Sequence, residues 1–201
     1  IIKNKLSNGI IYLQVTRGVQ SREHAYKKNL KPNVIAYTSK KKFNLPNKNY
    51  RGFKAITYPD IRWGRPDIKT TSLLANIIAA TEANKKGAYE TILVKGKKIT
   101  EAAHSNVWIV KGNKIITHPA NKEILKGVTR TVLINIIKSL GFKLIEKEFS
   151  LKELYKSDEV FITSSGSLVT PITQIDNIKI NNKKIGKITK ALALSFYKSI
   201  I

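Results

Sequence analysis

A lysine, a carboxylate and two turns rich in small hydroxyl residues occur in this chain of 201 residues, each beside a predicted strand or helix start. A lysine amine can form an imine with an aldehyde, and a carboxylate can face a pyridine nitrogen. The N–H and O–H donors of two turns can bind a phosphate. The order of these groups predicts a site for a phosphorylated pyridine aldehyde, formed by Lys69, Glu101, Val128, Thr129, Ser164 and Ser165.

Each of these residues also has a simpler explanation when it is taken alone. Lys69 could be one more solvated lysine, and Glu101 could be an ordinary glutamate at the end of a turn. Thr129 could only cap a helix, and Ser164 could only belong to a serine-rich turn. Lys69 departs from the simple explanation because it follows a strand and precedes an apolar helix, where a side chain can point into a cleft.

The elements that must position these residues follow from local patterns. Strands are predicted at 9–16, 33–38, 52–58, 159–163 and 173–180, and helices at 71–86, 129–140 and 188–200. Two hairpins are predicted to turn at 95–97 and 111–113, where a glycine separates alternating apolar residues. This mixture predicts an α+β domain without a repeated βαβ unit.

Composition limits the class of protein. The hydrophobic content of 42% is enough for a buried core, and no apolar run approaches the length of a membrane span. The absence of cysteine excludes disulfides and thiolate metal sites, and we predict no metal site and a cytoplasmic location. The start at Ile1 has no signal-peptide pattern, and the chain has no methionine, so we expect that residues precede Ile1.

The net charge of +24 allows two interpretations. It could indicate a basic nucleic-acid-binding module, or it could reflect a lysine-rich surface in contact with solvent. The lysines are scattered and cluster at predicted turns such as 95–98 and 181–184, and aromatic residues do not alternate with them. A stacking surface for bases requires such aromatics. We therefore expect no specific nucleic-acid partner and no membrane partner.

Ordered segments along the whole chain resemble the D-amino-acid aminotransferases of the class-IV pyridoxal-phosphate aminotransferase family. The segments that carry the resemblance are 12–18, 22–24, 60–63, 67–69, 100–101 with 105–106, 117–121, 125–130 and 161–164. The resemblance implies the fold type IV of pyridoxal-phosphate enzymes. It implies that 1–43 is the C-terminal part of a small N-terminal domain, that 44–49 is an interdomain linker, and that 50–201 is the large cofactor-binding domain.

The resemblance also implies a role for each candidate residue. Lys69 would be the Schiff-base lysine and proton shuttle, and Glu101 would pair with the pyridine nitrogen of pyridoxal 5'-phosphate. Val128, Thr129, Ser164 and Ser165 would bind the cofactor. Arg22 and His24 would bind the substrate α-carboxylate from the neighbouring subunit of a homodimer, because an arginine fork grips a carboxylate at two points.

The implied reaction is transamination between D-amino acids and 2-oxo acids, with D-alanine and 2-oxoglutarate giving pyruvate and D-glutamate. A branched-chain aminotransferase or an aminodeoxychorismate lyase of the same fold is the alternative enzyme. We expect these 201 residues to hold only the C-terminal part of the family's small domain, without its arginine for the phosphate and its tyrosine for the carboxylate. His104 stands where the family has a small, serine-like residue, and we interpret His118 as structural.

Overall fold

The computed structural model describes residues 4–200. The start of the chain, before which we expect further residues, lies outside the described part. The chain divides into two compact units, Ile1–Phe43 and Asn44–Ile201. Residues 44–49, which we predict to be a linker, belong to the second unit. Among the described residues, no helix is long and apolar enough to cross a membrane.

The first unit is built on one antiparallel pair of strands. The strands β1 (Gly9–Thr16) and β2 (Asn33–Lys40) pair along their whole length, and the rings of Tyr12 and Tyr37 stack across them at 4.9 Å. β-branched and aromatic residues favour such a ladder because they pack across neighbouring strands. The long connection between the strands is held by Gln20, whose side chain bonds to Ala25 O at 3.0 Å and to Lys27 N at 3.0 Å.

The second unit contains ten strands and four α-helices in the described part of the chain. Its strands are β3 (Phe53–Pro59), β4 (Glu90–Lys95), β5 (Lys98–Ala102), β6 (Asn106–Lys111), β7 (Lys114–Thr117), β8 (Lys143–Glu146), β9 (Phe149–Ser150), β10 (Glu159–Ser164), β11 (Leu168–Ile175) and β12 (Ile178–Lys179). Its helices are α1 (Leu74–Lys85), α2 (Val128–Ser139), α3 (Leu151–Tyr155) and α4 (Lys187–Lys198), and a 3₁₀ turn spans Asn181–Lys183.

All ten strands form one sheet in the order β8-β7-β6-β10-β11-β3-β4-β5-β9, with β12 paired to β11. The predicted hairpins are present as β4–β5 and β6–β7. Two parallel pairs, β3–β4 and β7–β8, are each joined through a helix, α1 and α2. The expectation that no βαβ unit repeats was therefore wrong, because periodicity identifies a helix but does not reveal which strands it connects.

Both faces of the sheet are buried, which explains the nearly continuous apolar runs of its central strands. Trp108 and Phe161 point to one face with Leu133 of α2 and Phe196 of α4. Their neighbours along the strands point to the other face, where Leu154 of α3 also packs. Side chains alternate between faces with a period of two residues. The sheet thereby holds the ends of β5, β6 and β10 in fixed positions.

One predicted strand was misplaced. The prediction ran a strand through 173–180, but β11 ends at Ile175 and the chain turns back at Asp176, which has a φ of 52°. Ile175 pairs with Ile178 across this two-residue turn. Asp and Asn adopt positive φ more readily than other non-glycine residues, so Asp176-Asn177 was the signal that the strand ends there.

Candidate active site

Glu101 lies at the end of β5 with only 5% of its surface exposed, and its carboxylate receives hydrogen bonds from three segments of the chain. Arg62 Nη1 donates to one oxygen, and Asn106 Nδ2 donates to the other at 3.0 Å. The backbone N–H of Leu125 lies 3.1 and 3.2 Å from the two oxygens. Because all of these partners are donors, the arrangement suits an ionised carboxylate, which only accepts.

Arg62 joins Glu101 to a second carboxylate, Asp60, which follows β3. Arg62 Nε and Nη2 donate to the two oxygens of Asp60 at 2.9 and 2.7 Å, in the bidentate geometry that a guanidinium favours. Arg62 Nη2 also donates to Glu123 O at 3.1 Å, and Thr100 Oγ1 donates to Asp60 at 2.7 Å. The side chains of Arg62, Asp60 and Glu101 are 5–7% exposed, so one cation serves two nearly buried anions.

These surroundings shift the pKa values of the two carboxyl groups in opposite directions. Burial raises the pKa of Glu101 to about 7, against the attraction of Arg62. Burial also acts to raise the pKa of Asp60, but the hydrogen bonds from Arg62 and Thr100 outweigh it, so that pKa lies below its ordinary value. Near neutral pH, a bound cation can therefore still strongly change the ionisation of Glu101, by lowering its pKa.

Asn106, the first residue of β6, connects Glu101 to the start of α2. Its amide donates to Glu101 and also to Leu125 O at 2.8 Å. Gly127 precedes α2, and a Cβ built on it would overlap Asn106 Oδ1, so the backbone approaches Asn106 as closely as only glycine permits. No side chain from the described residues 4–200 caps the start of α2. The backbone N–H groups of Val128 and Thr129 at its first turn are thus suited to bind an anion.

The turn between β10 and β11 lies beside the same point of the sheet. Thr163 pairs with Asn106 across β10 and β6, so Ser164 comes directly after that pair. The Ser164 and Ser167 hydroxyls bond at 2.7 Å, and Ser164 Oγ accepts from Ser167 N at 3.1 Å. Ser165 is exposed, and its hydroxyl has no hydrogen-bond partner among residues 4–200. The structure therefore brings Glu101, the start of α2 and the serine turn together around Asn106.

Lys69 lies in the loop between β3 and α1, and both flanks of that loop contact the segment around Glu101. Arg62 binds Glu101 on one flank, and on the other flank Asn76 of α1 donates to Ala103 O at 2.6 Å. Lys69 is exposed, and its ammonium makes no hydrogen bond or ion pair within the described part of the chain. The loop is thus tied to the segment around Glu101 at both flanks, while no partner in residues 4–200 holds the Lys69 ammonium.

Arg22 and His24 lie in the first unit, in the connection between β1 and β2. Both are exposed, and neither side chain has a hydrogen-bond partner in the segment 4–200 that the structure covers. The connection around them is nevertheless ordered by Gln20 and by Arg17, whose guanidinium stacks 3.4 Å from the centre of the Tyr26 ring. A loop held in this way can present free side chains from a stable base.

His104 sits in the turn that follows Glu101, beside another buried carboxylate. Glu90 accepts from the Ser105 hydroxyl at 2.7 Å and from Thr91 N at 2.8 Å, and His104 Nε2 lies 3.3 Å from it. Burial raises the pKa of Glu90, and the attraction of His104 partly offsets this. Glu90 therefore fixes the turn that carries His104, while half of the His104 side chain remains exposed.

Sequence reasoning missed the residues that hold Glu101 in place. Asp60, Arg62 and Asn106 lay in segments that carried the resemblance, but no role followed from them. The one signal in the sequence was an acidic and a basic residue two positions apart directly after a strand. The arrangement fits a phosphorylated pyridine aldehyde, because it offers a buried carboxylate for the ring nitrogen and an uncapped helix start for the phosphate.

We expect Arg62→Gln to destabilise the protein strongly, because it leaves Asp60 and Glu101 buried without their cation. At about pH 8 the free energy of unfolding should fall by about 3 kcal/mol. Without Arg62 the folded-state pKa of Glu101 rises further above its unfolded value, so stability is lost as the pH rises through that folded pKa. Urea unfolding between about pH 5 and 8 should therefore show a deficit that grows with pH.

Arg65→Gln is the matched control for this measurement. Arg65 lies three residues after Arg62 in the sequence and forms an exposed ion pair with Asp67. Exposed ion pairs contribute about 0–1 kcal/mol. An equal loss in the two variants at every pH would contradict a special role for Arg62.

We expect Gly127→Ala to disturb the site through sterics alone. The added methyl group would displace the Asn106 amide, which then loses its hydrogen bonds to Glu101 and to Leu125 O, at a cost of about 1–3 kcal/mol. Gly64→Ala is the control, since a Cβ there meets no atom within 4 Å. Thermal unfolding should separate the two variants, and equal melting temperatures would show that Asn106 adjusts without cost.

Comparisons with known proteins show which family this chain resembles along its length. The family described as amino-transferase class IV matches residues 1–175. A D-alanine aminotransferase of Listeria innocua is 38% identical over 203 residues, which cover 100% of this chain and 70% of that protein. A D-alanine aminotransferase of Bacillus licheniformis is 39% identical over 199 residues, which cover 98% of this chain and 70% of that protein.

A solved structure of the branched-chain amino acid aminotransferase of Thermobaculum terrenum, in its PLP-form, has the same fold. It superposes with a TM-score of 0.83 at 22% identity, over 94% of this chain and 64% of that one. The family match covers most of the chain and selects an enzyme over a nucleic-acid-binding module. This chain belongs to the class-IV aminotransferases.

Proposed function

We propose that this protein transfers amino groups between D-amino acids and 2-oxo acids with pyridoxal 5'-phosphate, converting D-alanine and 2-oxoglutarate to pyruvate and D-glutamate. The observation that carries the proposal is the buried Glu101 carboxylate, surrounded by donors at the meeting point of the α2 start and the serine turn. The D-alanine aminotransferases at 38–39% identity support the choice of substrate.

The cofactor, when bound, supplies an aldehyde that takes up the amino group and a pyridine ring that withdraws electrons from the carbon that loses its proton. Glu101 would hold a proton on the ring nitrogen. A cation beside the carboxylate would lower the pKa of Glu101 from about 7 and keep the carboxylate ionised. The Arg62 side chain prevents Glu101 from moving away.

The remaining roles follow from the groups that lack partners. Lys69 would hold the cofactor aldehyde through its amine and would carry the proton to and from the substrate Cα. The backbone N–H groups of Val128 and Thr129 would bind the phosphate at the start of α2, with hydroxyl and amide donors from Ser164 and Ser165. Within residues 4–200, no capping side chain competes for these N–H groups.

We further propose that Arg22 and His24 bind the substrate α-carboxylate of the neighbouring subunit in a homodimer. A planar guanidinium can hold both carboxylate oxygens, which fixes the orientation of the substrate. The two residues are exposed on an ordered loop of the first unit and have no partner within residues 4–200. The carboxylate is common to the amino acid and the oxo acid, so one arginine serves both halves of the reaction.

We expect Lys69 to be the residue that reacts with the cofactor. Borohydride reduction of the protein followed by peptide mapping should give a pyridoxyl adduct on Lys69, because reduction traps the bond to the amine. Lys69→Ala should lose the adduct and at least about three decades of turnover. Lys97→Ala, at the tip of the β4–β5 turn, is the control that should change neither. An adduct elsewhere in an active Lys69→Ala protein would refute the assignment.

The same preparation tests the choice of substrate. Adding D-alanine to the cofactor-loaded protein should change its visible spectrum as the amino group is taken up, and L-leucine should leave it unchanged. A response to L-leucine alone would favour the branched-chain aminotransferase over our proposal.

We expect Arg22→Ala and Lys69→Ala subunits, each inactive alone, to regain activity when they are mixed. If Arg22 serves the neighbouring site, each hybrid dimer has one site with both residues intact. Random exchange in an equal mixture makes half of the dimers hybrid, so activity should reach about a quarter of that of the unmodified protein. Hybrids isolated with two different affinity tags confirm the exchange. Inactive hybrids would mean that Arg22 acts within its own subunit or not on the substrate.

A further inference from the structure

Three side chains that can bind a metal ion meet outside the site described above. His118, Glu123 and Glu148 each offer one ligand atom, and these three atoms lie within 4.8 Å of one another. Two of the residues meet because β7 and β8 are parallel and end at the same edge of the sheet. His118 follows β7 and Glu148 lies just after β8, and Lys147 N bonds to Thr117 O at 3.0 Å between them. Glu123 returns to this edge from the loop before α2.

His118 is 1% exposed and is oriented as a metal ligand. Its Nδ1 lies 2.9 Å from Pro119 O, so Nδ1 carries the proton and donates to that carbonyl. The Nε2 lone pair then faces the cluster. Nε2 lies 3.6 Å from Glu123 Oε2, too far for a hydrogen bond, and has no hydrogen-bond partner within residues 4–200. A backbone carbonyl on one ring nitrogen, with the other left free, is the usual arrangement of a metal-binding histidine.

Among residues 4–200, exposed lysines are the groups that hydrogen-bond to the two carboxylates. Lys95 pairs with Glu123 Oε1 at 2.9 Å, which leaves Oε2 directed at His118, and Lys98 pairs with Glu148. Both lysine side chains are 61% exposed. Such exposed pairs contribute little to stability because water and salt screen them, so an ion that needs these oxygens can displace the lysines. An imidazole nitrogen with two carboxylates is a ligand set that suits Zn²⁺ and its first-row neighbours.

We propose that His118, Glu123 and Glu148 bind a divalent transition-metal ion that braces the loop 118–127. The loop carries the Leu125 N–H that donates to Glu101 and the Glu123 carbonyl that accepts from Arg62. An ion at its beginning therefore stabilises the segment that shapes the active site without touching the reacting atoms. The sequence predicts no metal site, because its three ligands are separated by five and twenty-five positions and show no motif.

Equilibrium dialysis of the cofactor-loaded protein against Zn²⁺, followed by metal analysis, tests the proposal. We expect one Zn²⁺ per chain. The affinity for Zn²⁺ should fall by roughly ten-fold or more in Glu148→Gln and in Glu123→Gln, because each substitution removes a ligand charge. Glu82→Gln is the matched control, because Glu82 is also a half-buried partner of an exposed lysine, Lys85, but lies on α1. It should bind like the unmodified protein.

A second control and a second measurement identify the site that binds. His104→Gln should leave Zn²⁺ binding unchanged, since His104 pairs with Glu90 and not with this cluster. Zn²⁺ should raise the melting temperature of the unmodified protein but not that of Glu148→Gln. No stoichiometric binding, or full binding retained in both Glu148→Gln and Glu123→Gln, would overturn the proposal. The carboxylate variants decide the matter even if a His118 variant fails to fold.

Discussion

A nearly buried negative charge organises the centre of the second unit. Glu101 sits where water cannot solvate it, and ionising an isolated carboxylate there costs several kcal/mol. The protein offsets that cost with donors from three distant segments, namely Arg62, the Asn106 amide and the Leu125 N–H. Each donor fixes the position of the element that carries it. The loop after β3, the start of β6 and the approach to α2 are thus positioned by one carboxylate.

The sheet makes this convergence possible because it sets the strand ends rigidly. β6 and β10 are neighbours, so the pairing of Thr163 with Asn106 carries the Ser164 turn to the same point as Glu101. Gly127 then lets α2 begin against Asn106. Irregular backbone near a buried site costs free energy unless its N–H and C=O groups find hydrogen-bond partners. In the loop 118–127 those partners include Glu101 for Leu125 N, Arg62 for Glu123 O and Arg130 for His118 O.

The buried network around Glu101 and the exposed loop of the first unit differ in how much change they tolerate. The branched-chain aminotransferase of Thermobaculum terrenum has the same fold at only 22% identity. Buried polar networks tolerate little change because each member satisfies another. Exposed loops such as the one bearing Arg22 and His24 carry no such constraint.

The sequence by itself determined the parts of the protein that depend on local order. Its periodicity placed most strands and helices to within a few residues, and glycines between alternating apolar runs placed both hairpins. The order of its segments indicated the family, and with it Lys69 and Glu101 as candidates. These features are local because a side chain's preference and a turn's backbone angles depend on the nearest neighbours.

Only the tertiary structure decided which residues surround Glu101 and which protonation state its carboxyl group favours. Arg62 is 39 positions from Glu101, and Leu125 is 24 positions away. The strand ends bring them together, and burial there raises the pKa of Glu101. The structure also assembled His118, Glu123 and Glu148 and joined β7 to β8 through α2. Burial and the pairing of distant strands depend on the whole sheet, so they cannot be predicted from residues that are neighbours in the sequence.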